Sequence, residues 1–182
     1  MTNILWAFIL TILVFFQVKH VNAQSLYLNS RLDFDEFGAG GWNIMELNPD
    51  SILICGNAFN YNWSGIGFMG INSSGTKLWQ KKHNAQHKIY YPGLVGSMKA
   101  FNGQYVLCGS IRDATNHSDV GFFRFSNQGD SLQFMSFGDS AYQEGASLEI
   151  AADSGFFLIG TNTSAISDPD GDFWLIKLNS PT

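Results

Sequence analysis

Three stretches of the chain end an apolar run on glycine at a nearly constant interval. They are SILICGNA (51–58), QYVLCGSI (104–111) and GFFLIGTN (155–162), whose Gly56, Gly109 and Gly160 lie 53 and 51 positions apart. Self-similarity at a fixed period restricts a chain to stacked units, because one such unit cannot bury its own apolar faces. The agreement extends to the flanking segments. Each run is followed by IGFMGINSSG (66–75), VGFFRFSNQG (120–129) or DFWLIKLNSPT (172–182), and preceded by GWNIMEL (41–47), LVGSMKA (94–100) or GASLEIA (145–151). A further element, TKLWQKKH (76–83) and SLQFMSFG (131–138), follows in the first two units. Each unit reads as up to four short strands separated by Gly, Asn, Asp and Ser turns.

The composition points the same way. There are 16 Phe and 19 Gly but only four Glu, and no segment pairs Glu with Lys or Arg at helical spacing over a polar face. At 45% hydrophobic and 14% charged, the chain has the means to bury a core. A net charge of −5 with no cluster of Lys or Arg offers no surface to track phosphates, and nucleic acid is not an expected partner.

The first 23 residues stand apart. ILWAFILTILVFF (4–16) is an apolar run too short to span a bilayer as a helix, and it leads to VNA before Gln24. Residues 1–23 are therefore expected to be a secretory signal peptide, with no membrane span left after cleavage. The segment before the run lacks Lys and Arg, which leaves a retained N-terminal anchor as the alternative.

Four strands in about 50 residues is the size of a β-propeller blade. The expected fold is all-β: a propeller-like array of about three four-stranded blades. Its parts are an outer strand at 24–40 and blades at 41–92, 93–143 and 144–182. Residues 26–34 are expected to supply a displaced outermost strand to the third blade. Propellers close with 4–8 blades. Three blades are therefore expected to belong to a longer ring, or to join a second copy head to tail, because the end sheets would bare residues such as Phe157, Trp174 and Leu53.

The D-x-W-L-I-K-L-N string at 172–179, following a Gly-ended apolar strand, resembles the degenerate propeller repeats of secreted and surface proteins of Bacteroidota. INSSGTKLW (71–79) resembles the G-x-x-x-W turn of pyrroloquinoline-quinone-type propeller repeats. The resemblance spans residues 25–182 and implies a secreted, periplasmic or cell-surface protein. The vicinal cysteine pair of the quinone enzymes is missing, since Cys55 and Cys108 are 53 positions apart, and no cofactor is expected. These two cysteines end equivalent strands where the third unit has Ile159, which suits two buried thiols without a disulfide.

Candidate binding residues fall between the strands. The turns at 48–50, 101–103, 152–154, 72–75 and 127–129 are short. The segments 58–65, 84–93, 111–119, 138–144 and 161–171 read as long, variable loops, where binding residues concentrate. They hold Tyr61 and Trp63, Tyr90 and Tyr91, and Arg112, Asp113 and His117. Aromatic platforms beside charged groups suit a glycan or a peptide. Asp168 and Asp170, at alternate positions with Asp172, begin a Ca²⁺-loop pattern, but Phe173 and Asn179 stand where an EF-hand needs Gly and Glu. A Ca²⁺ site is thus the alternative to a cap on the turn into a strand. The functional expectation is a non-enzymatic binding or scaffold module. The alternative is a glycan-active hydrolase or lyase, which would need two carboxylates about 5–9.5 Å apart.

Overall fold

The structure, a computed structural model, describes residues 31–61, 63–84, 88–93, 96–163 and 170–179. The expected signal peptide and residues 24–30 lie outside these. The described chain is all-β, with three antiparallel sheets. Sheet I runs in simple order through β1 (Gly38–Asn48), β2 (Ser51–Asn60), β3 (Trp63–Asn72) and β4 (Lys77–His83). Sheet II contains β5 (Lys88–Pro92), β6 (Met98–Phe101), β7 (Gln104–Asp113), β8 (Ser118–Ser126) and β9 (Ser131–Phe137). There β5 and β6 pair in tandem along the same edge of β7 and together act as one first strand. Sheet III holds β10 (Tyr142–Ile150), β11 (Phe156–Thr163) and β12 (Asp172–Leu178).

The recurring glycine has a steric cause. Gly56, Gly109 and Gly160 each lie opposite an irregularity in the first strand, at Gly41/Asn43, at the break between β5 and β6, and at Gly145/Ser147. A Cβ on these glycines would sit 1.8 Å from the Gly40 carbonyl oxygen, 2.0 Å from that of Tyr91 and 2.2 Å from that of Glu144. The bulge pushes the first strand's backbone onto its neighbour, and only glycine leaves room. Each bulge also reaches the next sheet. Asn43 donates to Ser97 Oγ at 2.9 Å and accepts from the Gly96 N–H at 3.2 Å, while Ser147 Oγ donates to the Gly96 carbonyl at 3.1 Å. This partly buried seam joins the first strands of all three sheets and satisfies polar groups that packing would otherwise strand.

The sheets pack face to face in chain order. Because strand side chains alternate, each sheet has a front face, towards the next sheet, and a rear face. The front of sheet I (Leu53, Cys55, Ile66, Phe68) meets the rear of sheet II (Tyr105, Leu107, Phe123, Phe125) in one buried cluster. Phe68 and Phe125 meet edge to face at 4.6 Å. His83 joins them, its ring 5.0 Å from Phe125 and its Nε2 2.7 Å from the Gly129 carbonyl oxygen, and burial holds its pKa below the usual histidine value. The front of sheet II (Val106, Cys108, Val120, Phe122) meets the rear of sheet III (Leu148, Phe156, Leu158), with Phe122 and Phe156 5.1 Å apart. Each fully buried Leu or Phe contributes about 1.5–3 kcal/mol, so these two interfaces dominate the stability.

Several sequence expectations meet a different arrangement. Leu53 and Trp174 are not on bare faces: Leu53 is buried between sheets I and II, and Trp174 packs against the sheet II–III cluster. Residues 31–37 form no extended strand beyond a bridge between Phe34 and Phe37. Phe34 instead lies buried on the rear of sheet I with Ala58, Met69 and Ile71, while Lys77 pairs with Asp35 at 2.7 Å. Residues 38–40 already belong to β1, and the first strand of sheet II begins at Lys88 rather than 93. The segments 58–65 and 111–119 are mostly strand, with β2 ending at Asn60, β3 beginning at Trp63 and a turn at 114–117 between β7 and β8.

The bulge account predicts unequal costs for two glycines. Gly109→Ala should lower stability by about 2–3 kcal/mol, because the backbone must move. Gly103, at φ +70° with open space around it, should cost only about 1 kcal/mol as alanine, from left-handed strain alone. Urea midpoints of the two variants measure the difference, and equal losses would contradict the steric reading.

Candidate functional site

The residues singled out in the sequence separate into a buried or turn-closing group and a group that gathers where sheet II meets sheet III. Tyr90 belongs to the first. Its ring is buried between sheets I and II, 5.3 Å from Phe123 and 5.1 Å from Phe134, and burial raises its hydroxyl pKa. Asp113 closes the β7–β8 hairpin. Its Oδ1 accepts from the Thr115 N–H at 2.9 Å, Thr115 Oγ1 at 2.7 Å and the His117 N–H at 3.0 Å, and the Thr115 hydroxyl leads in lowering its pKa. One carboxylate oxygen thus takes all three bonds that hold the turn.

Arg112, Tyr91 and two residues of sheet III come together. Arg112 and Tyr91 are on the front of sheet II near the end of β7, since Tyr91 pairs with Ser110. The guanidinium lies 5.1 Å from the Tyr91 ring and 5.4 Å from the Tyr142 ring. Its Nη2 donates to Tyr142 Oη and, at 3.1 Å, to Glu144 Oε1, which also accepts from Tyr142 Oη at 2.9 Å. A cation thus stands between two phenol rings with a carboxylate to fix it. Glu144 was not singled out in the sequence; its spacing of two from Tyr142 within a strand was the available signal, since it puts both on one face.

Beside this group lies a row of polar atoms. His117 Nδ1 is 3.6 Å from Asp119 Oδ1, while His117 Nε2, Ser118 Oγ, Asp119 Oδ1 and Gln143 Oε1 are buried without a hydrogen-bond partner in the protein. The Asp119 and Gln143 oxygens crowd the space beside Gly138, where a Cβ would stand 1.9 and 3.0 Å from them. Gln143 donates its amide to Asp139 at 2.6 Å and to Asn162 at 3.1 Å.

Tyr61 occupies the tip of the β2–β3 turn, fully exposed, at the end of sheet I that corresponds to Arg112 in sheet II. Trp63 opens β3, paired with Asn60. Asp168 lies outside the described residues, and Asp170 is exposed ahead of β12. Among the described residues, no group of three or more His, Cys, Asp or Glu side chains is placed to hold a metal ion. No helix among them is long and apolar enough to cross a membrane.

Cys55 and Cys108 are buried and unbonded to each other. Burial pushes the Cys108 thiol up to about 12 and the Cys55 thiol higher still, so neither supplies a thiolate near neutral pH. No protein-family model matches the chain, and no curated protein matches it in sequence.

Thiol accessibility checks this arrangement directly. An aromatic disulfide reagent should find no reactive sulfhydryl in the native protein and two after denaturation without reductant. Rapid labelling of the native chain would show that the sheet interfaces are open.

Proposed function

We propose that this chain is a secreted or surface-displayed binding module without catalytic activity of its own, built as an arc of β-propeller blades that presents a ligand site at one end of its sheets. The arrangement of Arg112 between Tyr91 and Tyr142, tied to Glu144, carries this reading. Flat aromatic surfaces cover the apolar faces of a sugar ring or peptide side chain, and the guanidinium and carboxylate orient its polar groups. Tyr61 supplies a further exposed ring at the corresponding end of the neighbouring sheet. The propeller reading draws support from the stacking of antiparallel sheets in chain order, with bulged first strands in contact.

Glycan and peptide arrays probed with the purified chain test the proposal. Arg112→Ala and Tyr61→Ala should each weaken a detected ligand by roughly tenfold, the scale of one good contact. Tyr61→Ala should leave the melting temperature unchanged, whereas Tyr90→Ala should lower it by roughly 5–10 °C as a core truncation. Cleavage of the bound glycan by the purified chain would overturn the non-enzymatic reading in favour of a hydrolase or lyase.

A further inference from the structure

Equivalent positions in the three sheets have very different surroundings, and the difference is confined to the two ends of the stack. Aligning Gly56, Gly109 and Gly160 places Leu53, Val106 and Phe157 at one front-face position and Cys55, Cys108 and Ile159 at the next. Through strand pairing, Ile66, Val120 and Phe173 share a third position, and Phe68, Phe122 and Leu175 a fourth. In sheets I and II all eight of these residues are buried under the following sheet. In sheet III the four face solvent, with Phe173 at 90% and Leu175 at 63% exposure. The rear faces repeat the pattern in reverse. Ile44, Met98 and Leu148 are equivalent through their partners Ile54, Leu107 and Leu158. Met98 and Leu148 are buried against the preceding sheet, whereas Ile44 is 73% exposed.

We propose that the front face of sheet III is a docking surface for the rear face of sheet I in a second copy of this chain, so that copies associate head to tail. The occupant follows from continuity: front against rear is the interface the chain already makes twice, and each copy carries one front face and one rear face with no sheet packed on it. A contiguous apolar face of this kind is uncommon on a soluble monomer. Residues 31–37 cover part of the rear of sheet I, but they do so incompletely. A cavity of about 150 Å³ remains among Leu32, Phe34, Ile54 and Met69, and the polar contacts that tether the segment, Lys77 and Gln80 to Asp35 and Lys82 to the Phe37 ring, are made at the surface, where such contacts are weak. Docking displaces Phe34 together with Leu32 and Phe37 and puts a sheet where these three side chains now pack. This proposal is independent of the ligand-binding reading, which uses the strand ends rather than these faces.

Light scattering over a concentration series tests it, using the purified chain, Leu175→Asp and Ile44→Asp. Both side chains face solvent in a single copy, so both variants should keep the wild-type circular dichroism and melting temperature; Phe173→Asp replaces Leu175→Asp should the latter fail to fold. The wild type should rise above monomer mass with concentration, and each variant alone should associate at least tenfold more weakly. Mixing the two variants should restore a one-to-one complex, because Ile44→Asp retains an intact front and Leu175→Asp an intact rear. Association through residues 1–30 would be common to all three proteins and insensitive to either change. A wild type that stays monomeric, association unchanged in both variants, loss in Leu175→Asp alone, which would indicate front-to-front pairing, or failure of the mixture to associate would each overturn the proposal.

Discussion

The middle sheet must bury both of its faces, and the rest of the structure is arranged around that requirement. β7 carries QYVLCGSIRD, in which consecutive residues from Tyr105 to Ile111 are buried, with alternate side chains serving sheet I and sheet III. A two-sided strand cannot alternate apolar with polar residues, and Tyr105–Cys108 supply four consecutive apolar side chains before Gly109. The end sheets are asymmetric for the same reason. β11 alternates buried and exposed along Phe156–Gly160 because only its rear face has a partner. Sheet-to-sheet contact supplies most of the stability, while the bulge seam of Asn43, Ser97 and Ser147 fixes how far one sheet may slide along the next.

What the sequence revealed was what side-chain periodicity and turn chemistry encode. The Gly-ended runs and the tight turns at Asn72–Gly75 and Asn127–Gly129 follow from apolar patterning and from residues suited to left-handed backbone. Gly75 and Gly129 do have positive φ, and the Asn72 side chain accepts from the Ser74 and Thr76 N–H groups as such a turn requires. Burial of both cysteines was legible because a third unit replaces them with isoleucine.

Features that depend on main-chain pairing rather than side-chain pattern were hidden. Arg112 and Asp113 look like loop residues, yet they pair with Ser118, Ile89 and Lys88 to extend the hairpins past the apolar core. Pro92 and Gly93 interrupt the first strand of sheet II, so 88–92 reads as linker and Tyr90 as a surface ring. In fact 88–92 pairs with β7, and Tyr90, opposite Ile111, lies on the buried rear face of sheet II. The cluster around Arg112 was only half visible: Arg112 and Glu144 are 32 positions apart and meet only because sheet III packs on sheet II. Residues 31–34, expected at the edge of sheet III, lie on the rear of sheet I because Phe34 finds an uncovered apolar face there.

If sheet II is the centre on which both neighbours depend, protection of the backbone should fall away from it in both directions. Amide hydrogen exchange on the chain at low concentration, resolved to single residues, compares like with like through the glycine alignment. Leu107 and Cys108 on β7 should exchange at least about a hundredfold more slowly than the equivalent Leu158 and Ile159 on β11, because opening β7 requires breaking both sheet interfaces. Equal protection at these two pairs, or slower exchange in sheet III, would contradict the account.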